Sequence, residues 1–135
     1  MYEGTITFVT TDYKNNEKTV RQSLVVENAE SFADAESQLY EYGSVLEAID
    51  VVALRRSQIK EIINTRKSDK DLLWMAELQD IYLAEDGEEK QIKYKVLLFA
   101  NKFDNAKSIM SEHVKQGYSM EIVSIKKTKF KDVLN

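Results

Sequence analysis

The stretch DVVALRRS at residues 50–57 recurs 71 residues later as EIVSIKKT at residues 121–128. The same offset aligns residues 26–63 with residues 97–134, and the matches fall on apolar and helix-capping positions. Because a shared backbone demands shared chemistry at such positions, we interpret the chain as an internal duplication.

The duplication predicts how the chain is organised. Repeat 1 spans residues 1–64, a polar and charge-dense linker spans 65–73, and repeat 2 spans 74–135. The whole chain has 135 residues, the size of one ordinary domain. The two repeats are therefore expected to form one compact unit.

Each repeat is predicted to contain a hairpin followed by a helix. In repeat 2 the dipeptide Asp86-Gly87 separates two runs of alternating apolar residues. This indicates a hairpin, because both turn residues adopt positive φ. Ser31 and Asp34 fit the N-cap and capping-box positions of the helix in repeat 1, and Asn101 fits the N-cap position in repeat 2.

The third strands are predicted at residues 50–54 and 121–125, and both are apolar on two faces. A strand of this kind is expected to be central in its sheet or covered on both sides. One face would contact the helix of its own repeat, and the other would contact the second repeat or another subunit. Val51 and Ile122 are on this basis candidate interface residues.

Short helices are predicted after the third strands, at residues 58–64 and 129–134, with Ser57 and Thr128 as N-caps. Together the elements predict an α+β fold of two tandem ββαβ(α) repeats. Each antiparallel sheet would be covered by a helix, and a pseudo-twofold axis would relate the repeats.

The composition excludes several classes of function. The chain has no cysteine, which excludes disulfides, thiolate catalysis and cysteine-ligated zinc. Its single histidine, His113, excludes any site that needs two imidazoles. The 19 basic and 23 acidic residues give a net charge of −4, which argues against a broad cationic face for duplex DNA or anionic lipid.

Membrane insertion and secretion are not expected from the sequence. No apolar run approaches the ~18 residues of a membrane span, and the first residues do not resemble a signal peptide. We therefore expect a cytoplasmic protein without a membrane partner.

No catalytic constellation is recognisable, so a non-enzymatic protein without cofactor or metal is expected. His113 falls on the apolar stripe of the second predicted helix, which favours a partly buried structural role over general-base catalysis. The acidic segment at residues 85–89 lacks the ligand spacing of an EF-hand, which favours a solvated turn over a cation site.

Basic residues form a repeated pattern that is a candidate binding surface. Arg55, Arg56, Lys126 and Lys127 end the third strands, and Lys129 and Lys131 follow in repeat 2. Lys93 and Lys95 share one strand face. The strands also carry the aromatic residues Tyr2, Phe8, Trp74, Tyr82 and Tyr94. A cationic track with aromatic stacking platforms is what single-stranded nucleic acid binding requires. The alternative is that the aromatic residues form the core and the lysines a solvated face.

Several segments resemble a known family. They are EIVSIKKT at residues 121–128 with the following residues 132–134, and the helix starts SFADA at 31–35 and KFDNA at 102–106. These motifs resemble a family of phage and prophage proteins of Bacteroides-type bacteria, known as a domain of unknown function. The resemblance covers nearly the whole chain, although this chain lacks proline and has a weaker first copy of the closing segment. It implies a phage or mobile-element origin, and with it a location in the cytoplasm of the host cell, and an α+β repeat. It supplies no activity and no catalytic residues that could be carried over to this chain.

Three classes of function follow from these observations. The first is a protein-interaction module that binds a phage or host protein or associates with itself. The second is a module for single-stranded nucleic acid that uses the repeated basic residues and the strand aromatics. The third is an enzyme with an unrecognised carboxylate or hydroxyl site. Only the arrangement of particular side chains can decide between them.

Overall fold

The computed structural model describes residues 1–117 and 120–135. The strands and helices of this part follow in chain order: β1 Tyr2–Thr11, β2 Glu17–Val26, α1 Phe32–Tyr42, β3 Glu47–Arg56, β4 Ile59–Ile62, β5 Leu72–Leu83, β6 Glu89–Ala100, α2 Phe103–Lys115, β7 Met120–Lys127 and β8 Phe130–Leu134.

The chain divides into two compact units of the same construction. The first unit contains Met1–Ser57 and Lys129–Asn135, and the second contains Gln58–Thr128. The strand order is β3-β1-β2-β8 in the first unit and β4-β6-β5-β7 in the second. Each sheet is built on an antiparallel hairpin and carries one helix on one face. The predicted α+β fold with two similar ββαβ-like halves is therefore confirmed.

The predicted short helices at residues 58–64 and 129–134 are wrong, because these segments contain the strands β4 and β8. β4 pairs with β6, and β8 pairs with β2, both in the parallel direction. The spacing of the apolar residues in these segments is compatible with a helix and also with a short strand. In the structure the first residue of each strand is buried, Ile59 in β4 and Phe130 in β8. A helix of so few residues is marginal without packing. The free edge of a sheet instead supplies a backbone partner for every second peptide group.

These two strands complete sheets that are built mainly from distant sequence. β4 follows β3 directly in the chain but belongs to the second unit, whereas β8 follows β7 and belongs to the first. Backbone hydrogen bonds continue both pairings, from Glu27 N to Leu134 O at 2.7 Å and from Ile63 N to Leu97 O at 2.9 Å. Each sheet therefore has four strands only because its parallel edge strand, β8 or β4, lies at the end of the other repeat.

Each unit has its own apolar core between the sheet and the helix. Even-numbered residues of β1 face α1, because successive side chains of a strand alternate between its two faces. The buried core of the first unit consists of Tyr2, Ile6, Phe8, Leu24, Val26, Ala35 and Leu39. The buried core of the second unit consists of Trp74, Ala76, Leu78, Val96, Leu98, Ala100, Ala106 and Met110. We call the opposite side of each sheet its helix-free face.

The helix starts differ between the units. The Ser31 side chain accepts a hydrogen bond of 3.1 Å from Asp34 N, which confirms the predicted N-cap of α1. The Asp34 carboxylate accepts a further bond from Glu30 N. The predicted capping role of Asn101 is wrong, because α2 has Lys102 at its N-cap and no side-chain capping bond there.

The third strands β3 and β7 lie at the edges of their sheets, so the first of the two predicted alternatives, a central position, is wrong. In both, the pairing with the hairpin shifts by one residue, at Val52 and at the repeat-equivalent Val123. These side chains are 44% and 47% exposed. A bulge adds one residue to a strand and thereby spoils the alternation. The bulge explains why the sequence pattern is apolar on both faces of each third strand, although the helix covers only one face of the folded strand.

Candidate functional site

The two arginines that end β3 point to opposite faces of the first sheet. The Arg56 guanidinium lies 5.9 Å from the Tyr2 ring centre and 5.7 Å from that of Phe32, on the helix side. The Arg55 Nη2 lies on the helix-free face, 3.1 Å from Oε1 of Glu3. Consecutive strand residues alternate in this way because of the pleat of the strand.

The second unit repeats this arrangement with lysines. Lys127 Nζ lies 5.9 Å from the Trp74 ring centre, on the helix side. Lys126 is paired with Met75 and lies on the helix-free face. Each predicted basic pair is therefore divided between two faces, and neither pair forms a continuous track on one face.

Three of the predicted basic residues do share a face. Lys93 and Lys95 of β6 lie on the helix-free face of the second sheet, as does Lys126 of β7. Between them runs β5, whose Glu77 is paired with Lys95. Glu121 of β7 is paired with Gln79 and lies on the same face, so the three lysines share this surface with two carboxylates.

Most of the predicted stacking platforms are core residues. Tyr2, Phe8 and Trp74 are between 5% and 9% exposed and pack beneath the helices. Trp74 Nε1 also donates a hydrogen bond of 2.8 Å to Ala100 O. Tyr82, which is 45% exposed, is the strand aromatic that a base could reach most easily.

The candidate interface residues face the internal cores. Val51 packs against the core of the first unit, and Ile122 packs against that of the second. The exposed apolar residues of these strands are instead Val52 and Val123, at the bulges. A charge at Val51 or Ile122 would therefore disturb the core of its own unit.

A pocket of about 300 Å³ opens on the helix-free face of the first sheet. We call it the first-sheet pocket. Its charged lining residues are Arg21 from β2, Arg55 from β3, Lys129 before β8, and Glu3 from β1. Thr5, Ser23, Ala53 and Phe130 also line it. The pocket therefore brings together three basic side chains from three separate parts of the sequence.

Sequence reasoning missed Arg21, and it grouped Lys129 only with the basic residues that follow the third strand of repeat 2. The β1–β2 register pairs Thr7 with Arg21 and Thr5 with Ser23, which places Arg21 on the same face as Glu3. That part was readable from the predicted hairpin. The place of Lys129 was not, because it depends on the pairing of β8 with β2.

A second surface is the projecting end of the β5–β6 hairpin. β7 begins opposite Asp80, and both hairpin strands continue beyond that point toward the turn. Tyr82, Leu83 and Ile92 lie in this part and are 45%, 72% and 49% exposed. We call residues 80–92 the hairpin arm. The predicted hairpin is confirmed, but the predicted turn with two residues at positive φ is wrong, because Gly87 has φ +82° whereas Asp86 has no positive φ.

The remaining candidate groups have local partners. His113 Nε2 lies 3.4 Å from Oε1 of Glu61, so the histidine of α2 contacts the strand β4. In the acidic turn, Asp86 accepts a hydrogen bond from Glu88 N, and Glu88 lies 3.8 Å from Lys90 Nζ. Within residues 1–117 and 120–135, no three His, Cys, Asp or Glu side chains are grouped so that they could hold a metal ion.

Within residues 1–117 and 120–135, neither α1 nor α2 has the length and apolar character that a membrane-spanning helix needs.

The two four-stranded sheets, each with one helix on one face, define an α+β repeat protein with candidate binding surfaces. The model of the family "Domain of unknown function (DUF4494)" matches residues 1–135, and the chain belongs to this family. No curated protein and no solved structure matches the chain. The expected membership of a domain-of-unknown-function family is thereby confirmed.

Proposed function

We propose that this chain is a non-enzymatic accessory protein of a phage or other mobile element and that it works as a protein-interaction module. Association with a second copy of itself is one form of this interaction. The mobile-element origin rests on the resemblance of the closing segments and helix starts. Gene neighbourhoods of family members provide its test, because virion or integration genes should recur beside them.

The observation that carries the interaction function is the exposed apolar surface of the hairpin arm. Tyr82 and Ile92 share one face, in diagonal positions across the two strands, and Leu83 lies on the other. Single exposed apolar residues are ordinary, whereas a group of them on one projecting element marks an interaction surface.

The charges beside these residues indicate the chemistry of the partner. The turn carries Glu85, Asp86, Glu88 and Glu89, and Lys90 follows. A partner surface with an apolar centre and a basic rim would complement the hairpin arm, because opposite potentials favour encounter and register.

Self-association is tested by sedimentation velocity from about 5 to 200 µM, a range chosen to include ordinary micromolar affinities. We expect the wild type to form a dimer or larger oligomer, and Leu83→Ser/Ile92→Ser to be monomeric with an unchanged circular dichroism spectrum. Tyr13→Ser is the matched control, since Tyr13 is 90% exposed on the other hairpin. A wild type that is monomeric throughout this range would exclude self-association.

A different protein partner is tested by site-specific photocrosslinking in cells. A photoreactive amino acid at Leu83 is expected to capture a discrete partner that the same amino acid at Tyr13 does not. Equal crosslinking from both positions would mean that the hairpin arm has no preference and would contradict the interaction function.

Single-stranded nucleic acid is the second candidate, and the observation in its favour is the shared face of Lys93, Lys95 and Lys126. Fluorescence anisotropy with a labelled ~30-mer of single-stranded DNA tests it, because contacts to phosphates make affinity fall steeply with salt. Lys93→Ala/Lys95→Ala/Lys126→Ala should weaken binding and flatten the salt dependence. An unchanged affinity in this variant would remove the candidate.

A further inference from the structure

We propose that the first-sheet pocket binds the phosphate group of a small organic ligand of about nucleoside-monophosphate size. This goes beyond the interaction function, which rests on the hairpin arm of the other unit.

The charge of the pocket matches this ligand. Arg21, Arg55 and Lys129 face a single carboxylate, that of Glu3, so two positive charges are not neutralised within the lining. Among residues 1–117 and 120–135, neither Arg21 nor Lys129 has an ion-pair partner. A phosphate monoester carries a charge of about −1.5 to −2 at neutral pH, which would balance the excess.

The shape of the pocket follows from the residues at its floor. β1 lies between β2 and β3, and its Thr5 is paired with Ser23 on one side and Ala53 on the other. All three side chains are short, whereas the basic side chains around them are long. Short residues ringed by long ones leave a hollow, and the hydroxyls of Thr5 and Ser23 add two hydrogen-bonding groups there.

Arg55 is held in place for this role by Glu3. The two residues are directly paired across β3 and β1, and Arg55 Nη2 lies 3.1 Å from Glu3 Oε1. The Glu3 side chain is 14% exposed and the Arg55 side chain 73% exposed. A guanidinium has five N–H donors, so one anchored arginine retains donors for a phosphate. Glu3 is therefore a positioning residue that also lowers the positive charge of the pocket.

The volume limits the size of the ligand. Pockets for small molecules measure about 300 to 1,000 Å³, and the first-sheet pocket, with about 300 Å³, lies at the lower end. The ring of Phe130 at its wall offers an apolar contact for the part of the ligand that bears the phosphate. A phosphate with one compact organic group fits these dimensions.

The test is isothermal titration calorimetry of the full chain with AMP, adenosine and inorganic phosphate at constant ionic strength. We expect AMP to bind with a Kd in the micromolar to low millimolar range, and adenosine to bind at least tenfold more weakly. Arg21→Ala/Lys129→Ala should weaken AMP binding by more than tenfold. The matched control is Lys93→Ala/Lys95→Ala, which removes the same charge from the helix-free face of the other sheet and should change the affinity by less than twofold.

Two further variants make the result specific. Glu3→Gln should tighten AMP binding about two- to fivefold, since the amide oxygen can still accept a hydrogen bond from Arg55 while the one negative charge beside the ligand is removed. Leu83→Ser/Ile92→Ser should bind AMP as the wild type does. The phosphate site can therefore be tested independently of the proposed interaction function of the hairpin arm. The proposal would be overturned if AMP and adenosine bound with equal affinity. It would also be overturned if Lys93→Ala/Lys95→Ala weakened AMP binding as much as Arg21→Ala/Lys129→Ala does.

A competition experiment identifies the source of the phosphate. If a ten-residue oligothymidylate displaces AMP and loses affinity in Arg21→Ala/Lys129→Ala, the phosphate site accepts a strand as well as a nucleotide. If the oligonucleotide does not displace AMP, the pocket takes a small ligand. No binding of AMP, phosphate or oligonucleotide by the folded protein would overturn the proposal.

Discussion

Gly4 of β1 lies directly against the side chain of Leu39 in α1, and a Cβ at this position would collide with the leucine methyl groups. The equivalent positions in the second unit are occupied by Ala76 and Met110, which are both fully buried. The two units therefore fill the same place between sheet and helix with a different division of volume between strand and helix.

Gly4→Ala is expected to lower the free energy of unfolding by about 1–3 kcal/mol, because an added methyl group in a packed core displaces its neighbours. Urea denaturation of both proteins measures the difference. In a Leu39→Ala background the cost of Gly4→Ala should fall to near zero, since the smaller side chain leaves room for the methyl group. Additive effects of the two substitutions would show that Leu39 is not what Gly4 accommodates.

Ala48→Gly in β3 is expected to stabilise the first unit by about 0.5–1 kcal/mol. Ala48 has φ +53°, a left-handed conformation that costs an L-residue roughly 1–2 kcal/mol and glycine almost nothing. The gain is reduced by the greater flexibility of glycine in the unfolded chain. Thermal and urea denaturation measure it. Ala53→Gly is the control, because Ala53 lies in the same strand without a positive φ and should lose stability instead.

Tyr94 should make stability depend on alkaline pH. Burial raises the pKa of the Tyr94 phenol above its ordinary value of 10.0, and the negative charges of Asp80 and Glu61 raise it further. The folded state therefore holds this proton more tightly than the unfolded state. Its contribution is fully present below about pH 10 and is lost as the pH rises through the folded-state pKa.

Urea denaturation of the wild type and Tyr94→Phe between pH 7 and 11 measures this contribution. We expect the wild type to lose stability above about pH 10 more steeply than the variant, which lacks the titrating group. The variant will also lose the contact of 3.0 Å between the Tyr94 hydroxyl and Met120 Sδ. This loss shifts the free energy of unfolding of the variant by the same amount at every pH below the range in which Tyr94 titrates. Parallel curves over the whole range would contradict the raised pKa.

Lys127→Ala is expected to lower stability by about 0.5–1 kcal/mol, because the ammonium group lies over the face of Trp74. Lys126→Ala, one residue earlier on the helix-free face, should change stability by less than half of this. Arg56→Ala should behave as Lys127→Ala does, through Tyr2 and Phe32. Chemical denaturation of the three variants provides the comparison, and equal effects at Lys126 and Lys127 would mean that the ring contact contributes nothing measurable.

Elements whose interactions are local were predictable from the sequence. The hairpin at Asp86-Gly87, the Ser31 cap of α1 and the alternation of β6 each depend on residues within a few positions of one another. The duplication added to this, because equivalent residues such as Val52 and Val123 adopt equivalent positions at bulges in both units. The basic pairs were also recognised as repeated, but their division between two faces follows from the pleat and was overlooked.

The first-sheet pocket shows why the candidate site was harder to predict than the fold. Arg21, Arg55 and Lys129 lie far apart in sequence, and no single motif contains all three. Their proximity depends on the register of three strand pairs. A shift of one residue in any of these pairs would move a side chain to the opposite face.

The sequence by itself determined the repeat, the two hairpins, the two amphipathic helices and the α+β class, because apolar periodicity and turn chemistry act over short distances. Only the tertiary structure decided that residues 59–62 and 130–134 are strands. It also decided that β4 does not belong to the unit of β3, that β8 does not belong to the unit of β7, and that β3 and β7 lie at sheet edges. A short apolar segment can be stable as a helix or as a strand, and the choice depends on which backbone partner the rest of the fold presents to it.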